Sequence, residues 1–177
     1  MSLFEKVSTL GCLGGSLLLL GVTAHASDYG KEAKAGSGVA EVTSETRVVD
    51  VYKSPTCGCC AEWITHAQTH GLISKVHHPS SLAEKKSALG IGTQYRSCHT
   101  AVDKQGYVFE GHVPAKLVTQ FLANPPEGAI GLSVPGMPAG SPGMEMANTF
   151  TPYPVLLLMK DGSAVVYAKI DQQSEQY

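Results

Sequence analysis

Three features of the sequence together predict a fold class. A β-branched run, Arg47–Tyr52, passes directly into a cysteine-rich turn and then into a segment with helical apolar spacing. The segments beyond it read as strand, helix, two strands and helix, so the folded part opens β-α-β-α-β-β-α. Within the turn, Cys57 and Cys60 stand three positions apart, the separation of a redox dithiol. That order, with that motif after the first strand, predicts an α/β sandwich of the thioredoxin type, a mixed sheet with helices on both faces.

Taken in chain order, residues 1–26 have the layout of an export signal. Lys6 is the positive start, residues 10–22 are apolar, and Ala24-His25-Ala26 offers a small-residue cleavage site. The apolar run is shorter than the roughly 20 residues that span a bilayer, so no membrane anchor is expected after cleavage. Residues 27–46 are rich in Gly, Ser, Ala, Glu and Lys and read as a flexible leader. The domain is expected over residues 47–170. After the first strand, residues 61–70 carry helical spacing and Gly71 closes that helix. Leu72–His77 reads as a strand parallel to the first, because a helix separates them. Ser80 and Ser81 precede a short helix over residues 82–89, which stops at Gly90. Residues 97–103 and 107–110 form a hairpin around Lys104-Gln105-Gly106. Val113-Pro114 opens a helix with Leu117, Val118, Phe121 and Leu122 on one stripe, ended by Asn124-Pro125-Pro126. Residues 131–146 read as a Gly/Pro/Met-rich loop. Residues 155–159 and Ala164–Ile170 make a C-terminal hairpin around Asp161-Gly162, and residues 171–177 read as a polar tail that frays.

The chemistry concentrates in Ser54-Pro55-Thr56-Cys57-Gly58-Cys59-Cys60-Ala61-Glu62-Trp63. At a strand-to-helix turn the first helical N–H groups are unpaired and the macrodipole is positive, which stabilises thiolates. Two chemistries fit. A dithiol cycling through a disulfide needs Cys57 as the attacking thiolate and Cys60 as the resolving thiol. Cuprous ions prefer several soft thiolates and tolerate bridging sulfurs, which Cys59 beside Cys60 supplies. A structural disulfide with one buried thiol is the plainer alternative. Once the export signal and Cys12 are removed, Cys98 is the remaining cysteine. In a thioredoxin-type sheet the start of the third strand faces the cysteine-bearing helix mouth, so Cys98 either completes a four-thiolate site or is a buried small hydrophobe. His99 is a weaker candidate, since neighbours on a strand point to opposite faces. Met137, Met144 and Met146 are thioethers suited to capping or shuttling a cuprous ion, or to plugging irregular gaps. His66 and His70, one helical turn apart, either chelate or lie on a solvated face. Trp63 is core, or a lid over the thiols. A single tetrahedral zinc ion suits adjacent cysteines poorly.

Composition excludes other classes. At 177 residues with 43% hydrophobic content, one compact domain is expected. Lys+Arg 13 against Asp+Glu 15, without a basic stripe, gives no support to binding of nucleic acid or an anionic membrane surface. No phosphate loop, catalytic triad or readable carboxylate pair is present, so hydrolase and nucleotide chemistry lack support. An exported protein meets an oxidising compartment, where neighbouring thiols become disulfide-bonded, metal-capped or catalytically cycled.

Four ordered motifs carry a resemblance. They are Tyr52-Lys53-Ser54-Pro55-Thr56-Cys57-Gly58-Cys59-Cys60 with Trp63 and His66, Ser97-Cys98-His99-Thr100-Ala101, Glu110-Gly111-His112-Val113-Pro114-Ala115, and Gly136-Met137-Pro138 through Gly140-Ser141-Pro142-Gly143-Met144-Glu145. Over about residues 47–146 the chain resembles the exported metal-binding family, once catalogued as a domain of unknown function, that includes the copper-resistance protein CopG. The resemblance implies a thioredoxin-like fold in the Gram-negative periplasm and cuprous copper, Cu(I), held by Cys57, Cys59, Cys60 and Cys98. It also implies a part in copper tolerance beside other periplasmic copper-handling proteins, and redox activity. Gly92 stands where the family commonly has a proline, and residues from 148 onward match less clearly. The expected function is therefore a periplasmic copper-binding protein with a multinuclear thiolate site. The alternative is a thiol-disulfide or copper-linked oxidoreductase.

Overall fold

The computed structural model describes residues 47–147 and 149–177. The expected export signal and leader lie outside them. The strands are β1 (Arg47–Tyr52), β2 (Leu72–His77), β3 (Thr100–Asp103), β4 (Val108–Glu110), β5 (Ala129–Ser133), β6 (Tyr153–Met159) and β7 (Ala164–Ile170). The helices are α1 (Gly58–Thr69), α2 (Leu82–Ala88) and α3 (Ala115–Ala123). All seven strands form one mixed sheet in the order β2-β1-β3-β4-β5-β6-β7. The β1/β2 and β4/β5 pairs are parallel, each joined through a helix, and the other pairs are antiparallel.

Strand alternation sorts the core onto two faces. Phe109 joins a large cluster with Val49, Val51, Trp63, Ala67, Leu117, Val118 and Phe121. Its neighbour Val108 joins Ile91 and Leu158, with Leu89, Tyr95 and Val102 packed around them. Successive strand residues point to opposite faces, so α1 and α3 cover one side and the end of α2 the other. The predicted stripe of α3 is the buried one, apart from half-buried Leu122. Ser81 caps α2 as its sequence suggests, its Oγ accepting the Glu84 N–H at 3.2 Å.

Three expectations are corrected. Residues 129–133 form strand β5, although the Gly/Pro-rich loop was expected to begin at Gly131. Gly131 is required there by contact: a Cβ on it would lie 1.8 Å from the Val108 carbonyl oxygen, across the β4/β5 pair. Residues 97–99 precede β3 rather than opening it: the His99 carbonyl still accepts the Gly111 N–H at 2.9 Å, but the chain bends at Cys98 and the Ser97 N–H goes to the Glu110 carboxylate at 2.6 Å. The expected frayed tail instead forms a turn of 3-10 helix (Gln173–Gln176). Gln176 is fully buried, accepting from the Tyr153 hydroxyl at 2.5 Å and donating to the Gly140 carbonyl at 2.6 Å. Among the described residues no helix is long and apolar enough to cross a membrane.

Candidate metal centre

Register brings the two cysteine segments together. Tyr52, the last residue of β1, pairs with Thr100, the first of β3. The chain leaving β1 therefore meets the chain entering β3, and Cys98 arrives beside the turn that begins α1. Cys57 is the N-cap of that helix, in an extended conformation and without a side-chain cap bond. Cys59 and Cys60 lie in its first turn, within reach of its unpaired N–H groups. Cys57 and Cys60 are joined in a disulfide, while Cys59 and Cys98 are free. The Cys59 and Cys57 sulfurs are 3.5 Å apart, and the sulfurs of Cys57, Cys59, Cys60 and Cys98 all lie within 4.8 Å of one another. Cys60 is fully buried and the other three are half-buried.

Burial pushes the Cys98 thiol up to about 12, with a further push from Cys59; Lys86 and the Ser97 hydroxyl pull the other way. A thiol so placed stays protonated until a cation displaces its proton, which is how a soft metal inverts the local acid-base order. Beneath it lies a buried ion pair. Lys86 bonds the Glu110 carboxylate, and Glu110 also accepts from the Thr100 hydroxyl at 2.5 Å. Desolvation lowers Lys86 and raises Glu110, each opposed by its partner.

His99 was expected on the face opposite Cys98. Because the chain bends at Cys98 ahead of β3, alternation does not apply, and His99 Nδ1 sits 3.3 Å from the Cys98 sulfur. His112, which no spacing signal singled out, brings its Nε2 to 3.0 Å from the same sulfur. Both rings are fully buried, and desolvation holds both below the ordinary histidine range. His112 appears in the sequence only inside Glu110-Gly111-His112-Val113-Pro114, and that motif was the one signal pointing to it. Lys86 gave no sequence signal at all.

The methionine loop is docked on α1. A Cβ on Gly143, whose φ is +82°, would lie 2.6 Å from the Trp63 nitrogen and 2.7 Å from the Cys59 carbonyl oxygen. The Pro142 carbonyl accepts from His112 Nδ1 at 2.7 Å. Met137 and Met146 are exposed and Met144 is half-buried. Trp63 is core: it is fully buried, and its Nε1 donates to the Val113 carbonyl at 2.9 Å. His66 is not a free chelator with His70. It is buried, and its Nε2 accepts the Ala115 N–H at 3.0 Å, tying α1 to the start of α3.

Comparison with known proteins places this geometry. Residues 95–144 match a family described as "Protein of unknown function, DUF411". No curated protein matches the chain. Two solved structures are similar. The copper resistance protein CopG in its form 1 is 38% identical, at a TM-score of 0.67, over 72% of this chain and 100% of the solved one. Form 2 is 37% identical at the same TM-score of 0.67, over 71% of this chain and 99% of its own. The chain therefore belongs to the family of the copper resistance protein CopG.

Proposed function

We propose that this protein binds cuprous copper in the Gram-negative periplasm, on a thioredoxin-like domain, as part of copper tolerance. Cys57, Cys59, Cys60 and Cys98 are the thiolate ligands. The observation that carries this reading is the convergence of those four sulfurs within 4.8 Å. Four sulfurs that close hold more than one cuprous ion by bridging, and soft thiolates select Cu(I). The likeness to CopG supports copper as the cargo. The strand order β2-β1-β3-β4 with parallel β1/β2, and helices on both sides, supports the thioredoxin-like assignment. Residues 1–26 supply the export signal, and other periplasmic copper-handling proteins are the delivering or receiving partners.

The disulfide form has two of the four sulfurs tied up, so copper loading requires the reduced form. An external dithiol reduces the Cys57–Cys60 bond, giving up two electrons and two protons and leaving as its own disulfide, and metal binding then releases the protons from the Cys57 and Cys60 thiols. A second reading, thiol-disulfide exchange, is favoured by the same bond: half-buried Cys57 is the attackable sulfur and fully buried Cys60 the resolving one. Anaerobic cuprous titration of the reduced protein, read by native mass spectrometry beside Cys98→Ser, tests the first reading. Several ions are expected in the wild type, with a lower stoichiometry in the variant. Equal loading of both removes Cys98 from the site, and no loading with steady disulfide turnover favours the second.

A further inference from the structure

We infer that residues 172–177 are a strap that clamps the loop of residues 136–145 against the cysteine turn and so sets how often the thiols there become accessible. Its consequence for copper rests on the copper-binding reading. The clamp itself is a property of the protein without metal.

The loop touches both halves of the cysteine cluster. At its start the Gly136 N–H donates to the Arg96 carbonyl at 3.1 Å, and the Gly136 carbonyl accepts from the Ser97 hydroxyl, just ahead of Cys98. Further on, the Pro142 carbonyl accepts from His112 Nδ1 at 2.7 Å, and Gly143 sits so close to the Cys59 carbonyl and the Trp63 nitrogen that no Cβ fits. Between these points the loop is bonded to itself. The Ser141 N–H meets the Pro138 carbonyl at 3.1 Å, the Met144 N–H the Ser141 carbonyl at 2.7 Å, and the Gly140 N–H the Met144 carbonyl at 2.9 Å. A loop so closed on itself lifts and settles as one piece. Of its side chains only Ser141 and Pro142 are buried, while Met137 is exposed and Met144 half-buried. Hydrogen bonds rather than apolar burial therefore hold it, which puts it at the low-cost end of local opening.

The strap grips that piece at two points. Tail residues ordinarily fray, yet Gln176 is fully buried and both ends of its amide are used. Its Oε1 accepts from the Tyr153 hydroxyl at 2.5 Å, and its Nε2 donates to the Gly140 carbonyl at 2.6 Å. The Tyr177 hydroxyl donates to Glu145 Oε1 at 2.7 Å, and the other oxygen of that carboxylate accepts the Gly143 N–H at 2.7 Å. Glu145 thus joins the strap to the residue seated on Cys59. The strap is anchored in turn. Lys116 on α3 donates to the Tyr177 carbonyl at 3.2 Å, and Glu175 accepts the Asp171 and Gln172 N–H groups at 2.7 and 3.1 Å. Loss of either grip leaves the loop its own contacts with α1 and His112 but shifts it toward the lifted state, in which half-buried Cys59 and Cys98 are open to reagents and to exchange of a bound ion.

Iodoacetamide labelling of the full chain in its disulfide form, read at Cys59 by mass spectrometry, tests the clamp without metal. Gln176→Ala removes two buried bonds and should speed labelling by about 10-fold or more, and Tyr177→Phe, which loses one exposed bond, by about 2-fold or more. Leu158→Ala, in the smaller cluster on the other face of the sheet, costs at least as much overall stability and should speed labelling less than Gln176→Ala. No rise in either strap variant, or as large a rise in Leu158→Ala, overturns the inference. Where Gln176→Ala misfolds, Tyr177→Phe decides. In the reduced, copper-loaded protein the same strap variants should pass cuprous ions to bicinchoninate faster by a similar factor, with the ion count unchanged. Faster labelling with unchanged transfer overturns the strap's control of copper. If the reduced protein takes up no copper, the binding reading fails and labelling still decides the clamp.

Discussion

Replacing Glu110 by Gln should cost this domain more than any surface substitution. Glu110 is fully buried in β4 and Lys86 reaches it from α2 at 3% exposure, so neither charge has solvent to fall back on. The carboxylate accepts from Lys86, from the Thr100 hydroxyl and from the Ser97 N–H. Gln keeps one carbonyl acceptor but removes the charge, leaving a buried ammonium uncompensated, a loss of about 3–5 kcal/mol. For a domain of this size that is a fall in Tm of roughly 10–20 °C. The paired change Lys86→Met with Glu110→Leu removes both charges and should cost less than the single variants Lys86→Met and Glu110→Leu summed. The Ser97 N–H and Thr100 hydroxyl it strands still cost about 1–3 kcal/mol each. Urea denaturation of the wild type, both single variants and the double, with the disulfide intact, yields the coupling energy. A loss below about 1 kcal/mol in Glu110→Gln, or a double variant as unstable as the two singles summed, would refute this account of the pair.

Stability should also fall with acid through His66. Burial, reinforced by His70, lowers this ring from 6.5 to about 4, and the neutral ring accepts the Ala115 N–H. Between those values the unfolded chain binds the extra proton. The contribution is thus complete above pH 6.5 and is lost as pH falls toward 4, by about 3 kcal/mol in all. Denaturation at pH 7.5 and 4.5 should show that loss shrinking in His66→Gln, and equal slopes would contradict it. Gly143→Ala should destabilise by about 2 kcal/mol or more, since its positive φ and the backbone of Cys59 and Trp63 leave no room for a Cβ. Gly162→Ala, also at positive φ but in an open turn, should cost only about 1 kcal/mol. Thermal melts of the two variants that coincide would show that the methionine loop does not rest on α1.

Local pattern was enough for most elements. The β-branched run of β1, the cap Ser81, the stripe Leu117-Val118-Phe121 and the hairpin turns at Gly106 and Gly162 each state their structure within a few residues. The cysteine trio likewise announces soft-metal or redox chemistry by crowding alone. Strand β5 was not legible, because Gly131 reads as a loop residue until the Val108 backbone opposite it is known. Nor was the tail, since Gln176 is polar and its partners, Tyr153 and Gly140, are more than twenty residues away.

Propensity, capping and thiolate chemistry act over a few residues, so amino-acid order alone states the kind of donor and where it enters a helix. Which donors meet was decided only by tertiary structure. The pairing of Tyr52 with Thr100 carries Cys98 to the cysteine turn, and the Glu110 carboxylate holds the Ser97 N–H just ahead of it. The Pro142 carbonyl then fixes His112 against the same sulfur. Each of these contacts joins segments at least thirteen residues apart, through register and buried hydrogen bonds, which no local periodicity encodes.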